Sequence, residues 1–246
     1  MPRSAPRLSR VLACAAVPVM LVAAGCSSGS DSGKDKAPGS PDKAASSAPA
    51  EAPPATPTKK AVEPAKFAKL PEVCKAVSSK TIDELVPKAK TKKGTAAASS
   101  DLDSRGGCSW NGLEDKGTKG SNYRWLDVSF YRYESDATLG SGQERAAANY
   151  TKELGKAQQT EGAKGAKTSE ASGVGEKAET VTYQLHKTDE DFQYASVVAR
   201  TGNVVVLVTY NGAGYAGSKT PSEKWITEGA VKTAKEAVTA IEAANK

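Results

Sequence analysis

Histidine, phenylalanine and methionine are scarce in this sequence, which contains one histidine, three phenylalanines and two methionines in 246 residues. A serine- or cysteine-based mechanism would have to use His186 as its base. Alternation places Val181, Tyr183 and Leu185 on one face of a predicted strand and His186 on the other face, at its end. We therefore predict a solvated histidine. A single histidine also argues against a metal site, so we expect no catalytic residue, no metal and no cofactor.

An excess of charge of one sign is also missing. The formal net charge is +6, and three of the 34 basic residues lie in the first 25 positions, which contain no acid. The remaining lysines are mixed with acidic residues, and no basic run is interleaved with aromatic residues as in a nucleic-acid groove. We expect no nucleic-acid partner.

Long hydrophobic runs are absent apart from one near the start of the chain. Residues 11–24 are apolar or small and follow three arginines, as in an export signal, but the run is too short to span a bilayer. It ends in Leu21-Val22-Ala23-Ala24-Gly25-Cys26, which resembles a bacterial lipobox. We predict a signal peptide over residues 1–25 and lipidation of Cys26, including palmitate-type chains, at the extracytoplasmic face of the cell membrane. Ala23 stands where a lipobox usually has leucine, which leaves ordinary cleavage as the alternative.

Residues 26–65 contain seven prolines and only Val62 as a sizeable hydrophobic side chain. Such a composition cannot bury enough apolar surface to fold. We predict a disordered stalk over 26–65 and one globular domain over 66–246.

The sequence has only four cysteines. Cys14 is removed with the signal and Cys26 is acylated, so Cys74 and Cys108 remain as a pair in an oxidising compartment. We predict a disulfide between them. Closing a loop of this length stabilises a fold by roughly 3 to 4 kcal/mol in the chain-entropy model.

The pattern of apolar residues predicts an α+β fold. We expect a curved antiparallel sheet of about five strands, over residues 108–113, 125–133, 178–185, 192–199 and 204–210, with the last strand central because it is apolar on both faces. Three helices are predicted: a short one capped by Ser78 or Ser79, a middle one over 138–154, and a long C-terminal one. Thr220 and Glu223 match a capping box for the last helix, with Pro221 as its first residue.

Three patterns resemble functional sites. Residues 212–217 match GxGxxG after a strand, but no helix begins at the motif, so we interpret it as a flexible loop and not a dinucleotide site. Asp189, Glu190 and Asp191 could offer paired carboxylates for glycoside hydrolysis, although adjacent acids between two strands are usually solvated. A sugar cleft could be lined by Trp110, Trp125 and Tyr131 if these are exposed, whereas core positions are expected for Trp110 and Trp225.

Short motifs in a fixed order resemble an uncharacterised family of actinobacterial lipoproteins, the domain of unknown function numbered 3558. The motifs are Cys74, Cys108-Ser109-Trp110, Gly173-Val174-Gly175-Glu176-Lys177-Ala178 and Arg200-Thr201-Gly202-Asn203-Val204-Val205-Val206. The resemblance implies a surface lipoprotein of small α+β fold whose two cysteines are bridged. It implies turn geometry at Gly175 and Gly202, and it offers no activity, cofactor or catalytic residue to carry over.

These observations favour a noncatalytic module, anchored by lipid on Cys26, that binds an envelope protein or a small ligand. A hydrolase acting on the cell wall is the alternative and predicts a cleft with two carboxylates. A lipid carrier is a further alternative. It needs a large apolar cavity, for which few hydrophobic side chains are available at a mean hydropathy of −0.48.

Overall fold

Seven antiparallel strands form one sheet in the computed structural model, which describes residues 61–246. The order across the sheet is β1-β2-β3-β7-β6-β5-β4. Its strands are β1 Thr95–Ala96, β2 Arg105–Asp115, β3 Ser121–Arg132, β4 Lys164–Glu170, β5 Lys177–Lys187, β6 Glu190–Thr201 and β7 Val204–Tyr215. The helices are α1 Ser79–Leu85, α2 Gly142–Gln158 and α3 Glu223–Ala244, with short 3-10 turns at Val73–Lys75 and Gly117–Lys119.

Several sequence predictions concern residues outside this description. The signal peptide over 1–25, the lipidation of Cys26 and the stalk as far as residue 60 lie outside the described residues. Within residues 61–246, no helix is both long and apolar enough to cross a membrane.

The position of β7 follows from its composition and confirms the expected central strand. It pairs with β3 on one side and β6 on the other. Val204, Val205, Val206 and Val208 are fully buried. Alternate side chains of β7 point to opposite faces, so a strand that is apolar at both sets of positions needs a cover on both faces.

The two faces of the sheet are covered by different helices. On the α3 face, α1 and α3 pack against Leu126, Val128 and the alternate valines of β7. The stripe of α3 includes Ile226 and Ile241, both fully buried, and each such side chain contributes about 1.5–3 kcal/mol on burial. On the opposite face, here called the α2 face, Ala146 and Tyr150 of α2 pack against Val198 and Val205.

The α+β class is confirmed, but the sheet has seven strands and not about five. The two additional strands, β1 and β4, lie in segments for which no strand was predicted. Both are at the edges of the sheet and all their residues are exposed, so they have no apolar alternation to detect. The lysines of β4 suit an edge strand, because charge there discourages pairing with another chain.

Two helix starts differ from the predictions. α3 is capped by Ser222, which accepts a hydrogen bond from the Trp225 amide at 3.2 Å, and Pro221 lies before the helix. Thr220 does not cap it, because its hydroxyl donates to the Asp191 carbonyl at 3.0 Å. α2 begins at Gly142 after a capping box of Ser141 and Glu144, four residues later than expected. The predicted Ser78 cap of α1 is confirmed.

Candidate functional site

The GxGxxG motif is mostly strand and not loop. β7 continues to Tyr215, with Gly212 paired to Arg124 and Gly214 paired to Asn122. A Cβ atom at Gly214 would lie 2.2 Å from the Ser218 carbonyl oxygen, so close backbone packing requires glycine there. The motif therefore forms no glycine-rich loop that could surround a phosphate group.

His186 and the neighbouring acids lie at the tip of the β5–β6 hairpin. His186 Nδ1 is 2.9 Å from Asp191 Oδ1, and the two side chains are 54% and 68% exposed. Thr188 and Asp189 form the turn with φ angles of 49° and 62°, which suits a two-residue hairpin turn. The predicted solvated position of His186 is confirmed.

The disulfide expected between Cys74 and Cys108 is present, and it joins the 3-10 turn before α1 to β2. Trp110 packs next to it and is 2% exposed, while its indole N–H donates to the Lys92 carbonyl at 3.2 Å. Trp110 is therefore a core residue, as expected, and lines no cleft. Trp225 is only partly buried and packs against the same core.

The α2 face carries a groove of about 570 Å³ beyond the end of the area covered by α2. We call it the aromatic groove. The chain has only three tryptophans, eight tyrosines and three phenylalanines, and six of these line the groove together with Asn211, Thr160, Leu185 and Lys187; the six are Tyr123, Trp125, Tyr183, Phe192, Tyr194 and Tyr215. A concave, mainly apolar surface with few polar groups is the usual form of a ligand site.

Four strands bring these residues together through the register of the sheet. Tyr183 of β5 pairs with Tyr194 of β6, which pairs with Asn211 of β7, which pairs with Trp125 of β3. Residues that are directly opposite one another project to the same face. One row across four strands therefore carries three aromatic side chains and one amide.

Most of the rings in the aromatic groove contact one another. Tyr183 and Tyr194 are stacked, with ring centroids 5.0 Å apart. Phe192 makes edge-to-face contacts with Tyr123 at 5.9 Å and Tyr215 at 6.2 Å, the arrangement that the ring quadrupoles favour. Within the described chain, Trp125 makes no ring contact of this kind, so its indole faces are not covered by another ring.

The polar groups of the groove are mostly neutral. Asn211 is 3% exposed, and its side-chain amide makes no hydrogen bond to another described residue. Lys187 Nζ lies 3.3 Å from the Tyr194 hydroxyl and 5.4 Å from the centroid of that ring. Burial raises the pKa of Tyr123 above its ordinary value, with smaller contributions from Tyr194 and Tyr215. None of the described residues that line the groove is acidic.

One carboxylate lies next to the groove. Asp127 follows Trp125 by two positions on β3 and therefore projects to the same face. It is partly buried, and burial raises its pKa despite a hydrogen bond from the Ser129 hydroxyl at 3.2 Å. No ion pair with Asp127 is formed among the described residues, and no cluster of three metal-ligating side chains occurs there either.

Sequence reasoning named Trp125 and Tyr131 as possible cleft residues but missed the rest of the groove. Trp125 is in it, whereas Tyr131 lines a separate depression of about 530 Å³ with Arg105. One sequence signal marks the missed residues. The two members of each pair, Tyr183 and Leu185, Phe192 and Tyr194, and Asn211 and Tyr215, are an even number of positions apart on one strand and so share a face. That signal marks a face shared between the strands only once the strand order is known.

Comparisons with known proteins identify no family. No protein-family model and no curated protein matches the chain, so the resemblance to the domain of unknown function 3558 has no support from a family model. A structural neighbour is LpqN, described as involved in cell envelope biogenesis of Mycobacterium tuberculosis, with 13% identity and a TM-score of 0.28 over 58% of this chain and 82% of LpqN. The di-domain ARO/CYC StfQ from the steffimycin biosynthetic pathway has 8% identity and a TM-score of 0.15 over 72% of this chain and 97% of StfQ. Both scores are too low to carry an argument.

Proposed function

We propose that this chain is a noncatalytic binding module that holds a ligand in the aromatic groove. The observation that supports the proposal is the convergence of six of its few aromatic side chains on one open groove. Tyr183, Phe192 and Tyr194 are buried and form the floor of the groove, whereas Tyr123, Trp125 and Tyr215 are partly exposed. An aromatic floor with partly exposed rings and one amide beside it offers a ligand both apolar contact and hydrogen bonds.

A binding role fits the groove better than a hydrolytic one. Glycoside hydrolysis needs two carboxyl groups that flank the scissile bond, and the described residues that line the groove include no acid. His186 lies on the opposite side of β5 from Tyr183 and Leu185, since it is separated from them by an odd number of positions. It cannot serve as a base in the groove from there.

A lipid-carrier role fits less well. A carrier must enclose an acyl chain in an apolar cavity, whereas this groove is open and contains the Asn211 amide and the Lys187 ammonium group. Burying an unpaired amide against hydrocarbon costs about 1–3 kcal/mol. An open groove with polar groups suits a ligand that remains partly hydrated.

The proposed location is the outer face of the cell membrane, with lipid on Cys26 as the anchor. It is supported by the export signal and the lipobox-like sequence that ends at Cys26. Intact mass of the protein extracted from its membrane tests this: loss of residues 1–25 and addition of acyl chains is expected. A mass that shows cleavage without acyl chains would make it a freely secreted protein.

Binding in the groove is tested with 8-anilinonaphthalene-1-sulfonate, a fluorescent aromatic anion, on residues 26–246 carrying Cys26→Ser. We expect saturable binding at one site that is weakened at least about fivefold by the double change Tyr123→Ser and Tyr215→Ser. The matched control is Leu139→Ser, because Leu139 is an exposed hydrophobic residue at 63% exposure outside the groove. Equal loss in both variants would contradict the proposal.

A further inference from the structure

We propose that the ligand of the aromatic groove is a neutral carbohydrate, with one sugar ring stacked on Trp125 and hydrogen-bonded to Asn211. This inference rests on the proposed function and adds the ligand class. A pyranose combines an apolar face of C–H groups with a rim of hydroxyl groups. Its binding site must therefore offer a flat apolar surface beside neutral hydrogen-bonding groups.

Trp125 supplies the flat surface. It is the groove ring that no other described ring covers, whereas Tyr183 and Tyr194 cover each other and Phe192 is held between Tyr123 and Tyr215. It is partly exposed and stands on a strand, so its position is held by the sheet. A rigid indole on a strand is a pre-organised stacking surface, which lowers the entropy lost on binding.

Asn211 supplies the hydrogen bonds. It pairs with Trp125 across β3 and β7, and residues opposite one another have Cβ atoms about 4.5–5.5 Å apart. Asn211 is 3% exposed as a residue, and its side-chain amide has no hydrogen-bond partner among the described residues, but the amide atoms are not sealed from solvent. The amide is therefore available to a group that enters the groove. A ligand hydroxyl can both accept from the amide N–H and donate to the amide oxygen.

The charges around the groove favour a neutral ligand. A cationic ligand would meet the ammonium group of Lys187, which already occupies a cation–π position 5.4 Å from the Tyr194 ring centroid. Among the described residues that line the groove, Lys187 is the only charged one, and it lies over the Tyr194 ring, so no charged lining residue projects from the row of Trp125 and Asn211. A neutral sugar needs no counter-charge beside Trp125 and Asn211.

Proline-rich peptides also bind to aromatic-lined grooves. They need parallel aromatic ridges that grip successive prolines. The edge-to-face contacts of Phe192 with Tyr123 and Tyr215, and the stacking of Tyr183 on Tyr194, close the space between these rings. What remains is one uncovered indole beside one amide, which matches a single sugar ring more closely than a polyproline helix.

The test measures tryptophan fluorescence of residues 26–246 with Cys26→Ser during titration with four neutral trisaccharides: maltotriose, cellotriose, mannotriose and chitotriose. We expect at least one of them to change the emission saturably. The response should disappear in Trp125→Phe and persist in Trp225→Phe, since Trp225 packs against Tyr210 on the opposite face. Asn211→Leu should weaken binding at least about tenfold, while unchanged urea denaturation shows that the variant is folded.

Each result separates this inference from the function on which it rests. Binding of 8-anilinonaphthalene-1-sulfonate in the groove without a response to any trisaccharide would overturn the carbohydrate inference and leave the binding role standing. A peptide with the sequence of residues 47–58 is titrated as well. If it binds in the groove and the sugars do not, the carbohydrate inference is also overturned. Failure of the dye and of all sugars would remove both proposals.

Discussion

Asn203 and Phe67 are 136 positions apart and bind each other through two hydrogen bonds. Asn203 Oδ1 accepts from the Phe67 amide at 2.7 Å, and Asn203 Nδ2 donates to the Phe67 carbonyl at 3.0 Å. The same Nδ2 donates to the Tyr133 carbonyl at 2.8 Å. The buried Asn203 side chain at the β6–β7 turn is thus hydrogen-bonded both to the start of the domain and to the residue that follows β3. Gly202 leaves room for this contact, because a Cβ there would lie 2.8 Å from Lys66.

We predict that Asn203→Ala lowers the free energy of unfolding by about 3 kcal/mol, since three hydrogen bonds of about 1 kcal/mol each are lost. Urea denaturation measures the change. The matched control is Asn149→Ala, because Asn149 lies on α2 and its Oδ1 has no partner. Asn149→Ala should leave stability unchanged or raise it slightly. Similar losses in both variants would contradict the role assigned to Asn203.

Removing the disulfide should lower stability by about 3–4 kcal/mol in the chain-entropy model. The double change Cys74→Ala and Cys108→Ala tests this by urea denaturation with and without a reducing agent. The reducing agent should destabilise the unchanged protein and have no effect on the double variant. Destabilisation of both would show that reduction acts elsewhere.

Alkaline pH should destabilise the fold through buried tyrosines. Burial raises the pKa of Tyr210 and of Tyr150 above the ordinary value. Because the folded state favours the neutral phenol, this contribution is fully present below the pKa of an unfolded tyrosine, about 10, and is lost as pH rises through the higher folded pKa. The urea midpoint should therefore fall above about pH 10.

The variant Tyr210→Phe separates this effect from other alkaline changes. It removes the hydrogen bond from the Tyr210 hydroxyl to the Leu85 carbonyl at 2.5 Å, which should cost about 1 kcal/mol or more at pH 7. Its further loss of stability above about pH 10 should be smaller than that of the unchanged protein. An identical alkaline loss would show that Tyr210 makes no contribution.

Asp127→Asn should stabilise the protein at pH 7. Burial raises the pKa of Asp127, so the favourable contribution of its protonated form is present below about pH 3.9 and is lost as pH rises through the folded pKa. Asparagine has no such charge to bury. The stability gap between variant and unchanged protein should therefore widen from about pH 3.5 to neutrality and then remain constant.

The control for Asp127 is Asp101→Asn, which should act in the opposite direction. The Ser104 hydroxyl and backbone amide hold the pKa of Asp101 below its usual value, so its carboxylate stabilises the fold above the unfolded pKa and loses this effect in acid. If Asp127→Asn also weakens sugar binding while it raises stability, the unpaired carboxylate is retained for function at a cost in stability.

Local sequence patterns predicted the elements that carry a periodic apolar pattern and have short-range partners. The apolar residues of β7 predicted a buried central strand, and a long C-terminal helix was predicted where α3 lies. The cap of α3 was predicted wrongly, since Thr220 is engaged by the Asp191 carbonyl, 29 positions earlier. When a side chain has both a local and a distant hydrogen-bond partner, folding can bring the distant partner close enough to take the bond.

The sequence by itself determined the α+β class, the central strand and the pairing of Cys74 with Cys108, because these depend on composition, periodicity and elimination. The tertiary structure alone decided the aromatic groove. Tyr183, Tyr194, Asn211 and Trp125 occupy one row only because the sheet places β3 beside β7, β7 beside β6 and β6 beside β5, in a single register. A shift of one residue between any two of these strands would turn part of that row to the other face. No local pattern specifies that non-local pairing.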